Sequence, residues 1–73
     1  MLKLDDEILQ KGISRLKEIG VASIKELDVE NSFAGSCYKI VAITYNGRRE
    51  VVLDELDYKE VDAYCNELSY FLI

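Results

Sequence analysis

The chain has no histidine, no proline and no tryptophan, and its two cysteines, Cys37 and Cys65, stand far apart and form no CxxC pair. Without histidine or clustered thiols, a four-ligand zinc site has no donor set. Nor is there a glycine-rich phosphate loop, or a nucleophile with a neighbouring base in an interpretable motif, so catalytic residues, cofactor-binding residues and metal ligands are all assigned as none. No apolar run reaches the length of a membrane span, and "MLKLDDEILQ" lacks the apolar core of a signal peptide. A cytoplasmic protein with reduced, free thiols is expected. No low-complexity tract, repeat or linker divides the chain, and 73 residues suit a single domain, 1–73.

What is present is apolar content and unevenly placed charge. About half the residues are hydrophobic (49%), with five tyrosines, enough for a small core without a staple. Residues 1–49 hold eight bases and seven acids, a balance of +1, whereas residues 50–73 hold seven acids and only Lys59, a balance of −6. The negative excess therefore belongs to the last third. Such a surface repels duplex nucleic acid and attracts basic proteins.

Two helices are signalled at the ends. Asp5 suits an N-cap, Leu4 and Leu9 a hydrophobic staple, and Asp6 and Glu7 the positive pole of the helix dipole. Ile8, Leu9, Ile13, Leu16 and Ile19 form one stripe that ends at Gly20. Gly12 lies on that stripe and predicts close approach by a neighbouring element. Near the other end, Asp57 and Glu60 resemble a capping box and Leu56 and Val61 a staple. Val61, Tyr64, Cys65, Leu68, Phe71 and Leu72 follow helical spacing, with Tyr70 almost opposite Val61.

Between the helices the period is two. "CYKIVAITY" and "RREVVLD" flank Asn46-Gly47, a strong hairpin signal. A two-residue turn pairs Tyr45 with Arg48, Ile43 with Glu50, Val41 with Val52 and Lys39 with Asp54. Thr44 then faces Arg49, Ala42 faces Val51, and Ile40 faces Leu53. That register places Tyr38, Ile40, Ala42, Val51 and Leu53 in the core. The other side carries Lys39, Val41, Ile43, Tyr45, Arg48, Glu50, Val52 and Asp54, with Arg48 and Arg49 on opposite faces. Leu27 and Val29, alternating with Asp28 and Glu30, read as an edge strand before a loop at Asn31–Ser36; Ser23 and Glu26 as a helix cap is the competing reading. The strand is preferred because it completes a three-stranded sheet, and a lone hairpin is marginal. The expected fold is α+β: a small domain in α-β-β-β-α order, a three-stranded antiparallel meander with both helices packed on one face.

This order resembles the double-stranded RNA-binding domain over most of the chain. The resemblance implies lysines at the start of the last helix, but "DYKEVDAY" offers Lys59 among Asp57, Glu60 and Asp62, and "NSFAGS" lacks that family's loop histidine. Direct nucleic-acid binding is therefore not expected. "LKEIGVASIKEL" resembles a helix-hairpin-helix only faintly, since Ala22 stands where a second glycine belongs.

Two surfaces remain as candidates. One is an acidic ridge of Asp54, Glu55, Asp57, Glu60, Asp62 and Glu67, with Tyr58 and Tyr70 as aromatic anchors. Its ordinary explanation is helix capping and a solvated face; its functional one is a docking surface for a basic protein, with carboxylates standing in for nucleic-acid phosphates. The other is the open sheet face of Lys39, Val41, Ile43, Tyr45, Arg48, Glu50 and Val52, suited to self-association as a homodimer. The expectation is a non-enzymatic acidic regulator or inhibitor of a basic partner, in the manner of short phage-encoded inhibitors. The alternative is a self-associating structural module, and a third reading is an RNA-binding-like domain that has lost its basic contacts.

Overall fold

A computed structural model of the chain describes residues 4–32, 35 and 37–72. Helix α1 spans Asp6–Ile19, followed by a 3-10 turn at Val21–Ser23, then β1 (Ile24–Asn31), β2 (Tyr38–Thr44), β3 (Arg49–Leu56) and α2 (Tyr58–Leu72). The strands form one antiparallel sheet in the order β1-β2-β3. This is the α-β-β-β-α fold that the sequence predicts. Phe33, Ala34 and Ser36 of the predicted loop lie outside the described residues.

Local chemistry sets the helix ends. The Asp5 carboxylate accepts from the amides of Glu7 (2.9 Å) and Ile8 (3.4 Å). Gly20, at φ 102°, stops the helix by donating to the Leu16 carbonyl at 3.0 Å. Asp57 starts α2 by accepting from the Lys59 amide at 2.9 Å. Ser23 bonds backward, donating to the Gly20 carbonyl at 2.7 Å, so it finishes the turn after α1 and caps no new helix.

Both helices lie on one sheet face, α1 over β3 and α2 over β1 and β2. Leu16, Ile40, Tyr64 and Leu68 are the fully buried centre of the core. The Asp5 amide donates to the Tyr64 hydroxyl at 2.8 Å, and Lys17 Nζ sits 5.8 Å from the Phe71 ring centroid. The two helices therefore run in the same direction, with their N-termini at the same end of the molecule.

The hairpin corrects the predicted register. Thr44 donates to the Arg48 carbonyl at 2.9 Å, and Gly47 to the Thr44 carbonyl at 3.0 Å. The Arg48 amide also bonds the Thr44 hydroxyl at 3.0 Å. The loop therefore has three residues, Tyr45-Asn46-Gly47, with Gly47 at φ 88°. Pairing becomes Ile43–Arg49, Ala42–Glu50 and Val41–Val51, each one residue from the two-residue-turn expectation. Beyond Val51, β3 bulges outward by one residue and the expected Ile40–Leu53 pair returns. A second irregularity precedes Leu56, where Glu55 takes φ 56°. As a result Val52 (7% exposed) joins the core, while Val51 (40%), predicted inside, faces out beside Val41.

Candidate functional site

The open sheet face is narrower and more polar than the sequence suggests. By pairing and alternation it carries Glu26, Asp28 and Glu30 on β1, Lys39, Val41 and Ile43 on β2, and Arg49 and Val51 on β3. Arg49 reaches across the middle strand to form an ion pair with Glu30, and comes within 4.0 Å of Asp28. Val41 sits beneath this crossing and is only 2% exposed, although it faces away from the helices.

The predicted interface set therefore divides. Lys39, Val41 and Ile43 share the open face. Arg48, Glu50 and Val52 do not: the three-residue loop and the bulge turn them toward the helices. Glu50 accepts from Arg15 of α1 at 3.3 Å and from Arg48 at 3.1 Å. Tyr45 is exposed at the loop tip.

The acidic residues are likewise distributed over more than one surface. Asp54, Glu55, Asp57, Tyr58 and Glu60 gather where β3 ends and α2 begins. The parallel helices bring Asp5, Asp6 and Glu7 of α1 to the same end; Glu7 and Ile8 line one groove with Asp54, Glu55 and Leu56. Asp62 lies on the opposite flank of α2 from Glu60 and Glu67, roughly 150° around the helix. Tyr70 projects from the outer side near the helix C-terminus, exposed to solvent. Asp6 and Glu7 belong with the acidic end, and only the parallel packing of the helices reveals it.

Internal ion pairs sharpen this charge separation. Among the described residues, all the ion pairs join Arg15, Arg48 or Arg49 to Glu18, Glu50, Asp28 or Glu30. None takes a carboxylate from the acidic end. The Glu55 amide, 2.7 Å from Asp54, and the Ser32 hydroxyl hold the Asp54 carboxyl below its ordinary value, with Lys39 adding a smaller pull. Asp54 therefore stays ionised at neutral pH.

The groove between α1 and β3 encloses about 810 Å³. Ile8, Val52, Leu53 and Leu56 line it, with Lys11 and Arg15 among its polar residues. Its hydroxyl, Ser14, has no hydrogen bond to a base among the described residues. Arg15 closes the β3 edge, donating from Nε to the Val51 carbonyl at 2.9 Å. Among the described residues, no group of three or more cysteine or carboxylate side chains could hold a metal ion, and no helix is long and apolar enough to cross a membrane.

No family model, curated protein or solved structure matches the chain.

Proposed function

We propose that this protein is a small acidic binding protein that regulates or inhibits a basic protein partner and performs no chemistry of its own. The observation that carries the reading is the charge separation: the three arginines are engaged in internal ion pairs, while Asp6, Glu7, Asp54, Glu55 and Glu60 have none among the described residues. Carboxylates from three elements on a rigid scaffold steer a basic surface toward one end of the molecule. Tyr58, exposed beside them, supplies an aromatic anchor. Partners that normally hold nucleic-acid phosphates fit this pattern, whereas direct binding to nucleic acid is opposed by the same charges.

Affinity capture tests the reading with the parent chain and a Glu7→Lys/Glu55→Lys/Glu60→Lys variant. A basic partner should be retained at low salt, released as salt rises, and lost with the variant. Retention by the variant, or indifference to salt, sinks the proposal. A second reading, self-association through the open face, is favoured by Val51 standing exposed beside the half-buried Ile43.

A further inference from the structure

The two sheet edges are finished differently. At β3, Arg15 covers the Val51 carbonyl, and two irregularities, one of them where Glu55 takes its positive φ, break the line of the strand. Such devices deny an edge to a pairing strand. At β1, the eight residues Ile24–Asn31 run past a single irregularity between Ile24 and Glu26, then hold regular pairing to Asn31.

The hydrogen-bond phase of β1 follows from one contact. Ser32 donates to the Cys37 carbonyl at 2.9 Å, so the pairs Glu30–Lys39, Asp28–Val41 and Glu26–Ile43 are the hydrogen-bonded ones. Leu27, Val29 and Asn31 therefore direct their amides and carbonyls outward. Among the described residues only one of these amides has an acceptor: Val29 donates to the Asp28 carboxylate at 2.9 Å.

We propose that the outer edge of β1 is a strand-addition site for an extended basic segment of a partner protein, one that alternates basic with apolar residues. On the open face, an added strand lies beside Glu26, which has no ion pair among the described residues, and beside Asp28 and Glu30, which share the single charge of Arg49. Three carboxylates against that one guanidinium call for lysine or arginine at every second position. On the helix face it lies beside Leu27 and Val29, both half-buried, which call for apolar residues between the bases.

A second copy of this chain does not fit. Antiparallel pairing of two β1 edges sets Asp28 against Asp28 and Glu26 against Glu30, and directly opposed like charges destabilise strand pairs. Asp28 also supplies a latch. Its carboxylate occupies the Val29 amide in the free protein, and an incoming base draws it away and releases that amide for pairing.

The inference rests on the reading of this chain as a binder of basic proteins, but it uses a surface distinct from the acidic end. The probe is a synthetic peptide of the length of β1, alternating lysine with valine and threonine, titrated into the isotope-labelled protein. Slowed exchange at the outward amides of Leu27 and Asn31 is expected. Methylating the peptide nitrogens that face β1 should abolish binding without altering its charge. Glu26→Lys should weaken binding about tenfold, while Glu18→Lys, an equal charge reversal at an exposed position of α1, leaves it unchanged. Absence of binding, binding indifferent to N-methylation, or shifts confined to Asp54–Glu60 overturns the edge site. The acidic-end reading is judged separately, by the Glu7, Glu55 and Glu60 reversals.

Discussion

Gly12 of α1 lies against Leu68 of α2 so closely that a methyl group at Gly12 would stand 3.0 and 3.1 Å from the two Leu68 Cδ atoms, and 3.2 Å from Cδ1 of Leu53. The glycine on the apolar stripe thus marks the point where the two helices and β3 meet. Gly12→Ala gains up to ~1 kcal/mol of helix propensity but overpacks a filled core, which costs about 1–3 kcal/mol. Leu68 is fully buried and has little room to yield. The expected outcome is a net loss of about 1 kcal/mol in urea unfolding. Adding Leu68→Val should restore part of it, because the two sites are in contact.

Val51 and Val52 separate the observed register from the simpler one. Val52 is in the core and Val51 faces out. Val52→Ala should destabilise by about 2 kcal/mol, through lost burial and the cavity left behind. Val51→Thr should stay within about 0.5 kcal/mol. A two-residue turn without the bulge reverses the two effects, and paired unfolding curves decide between them.

Features made within one or two turns of chain were legible in the sequence. Asp5, Gly20 and Asp57 act on neighbouring backbone groups, and the capping and stop signals at those positions name the elements they bound. The β1 strand was legible because Leu27 and Val29 alternate with Asp28 and Glu30. The register was not legible at Asn46-Gly47, because the Thr44 hydroxyl and carbonyl close a three-residue loop that the same dipeptide also permits. The run Val51-Val52-Leu53 hid the bulge, since three consecutive apolar residues fit either alternation. The acidic end and the roles of Arg15 and Arg49 depend on which elements lie side by side, information absent from local pattern.

The Cys65 thiol should be slow to react. Burial pushes it above its ordinary value of 9.0, and Asp62 and Asp28 raise it further against the opposing hydrogen bond from Ser69. In a Cys37→Ser background, alkylation of the folded protein at about pH 8 should lag behind that of the unfolded chain. Asp62→Asn should speed it. Because the folded value is the higher one, the thiol's contribution to stability is fully present below 9.0 and falls as pH rises through the folded value. Comparison with Cys65→Ala isolates that fall from tyrosine and lysine titration.

Arg49 shields the open face more than it stabilises the fold. Its side chain is half-exposed, so its ion pairs with Glu30 and Asp28 contribute only about 0–1 kcal/mol. Its larger effect is to cover Val41, which lies between the half-buried Ile43 and the exposed Val51. Removing the guanidinium joins these three residues into one apolar strip, and exposed apolar strips on small proteins promote association. Arg49→Ala should therefore change the urea midpoint little, yet sediment as a heavier species than the parent at the same concentration. Arg49→Lys should fall between them, because a single ammonium on a flexible stem covers less surface than a planar guanidinium. Val41→Lys in the Arg49→Ala background should restore the parent's sedimentation, since the new base stands opposite Asp28. If Arg49→Ala sediments as the parent does, the open face is no latent contact surface, and self-association through it is rejected.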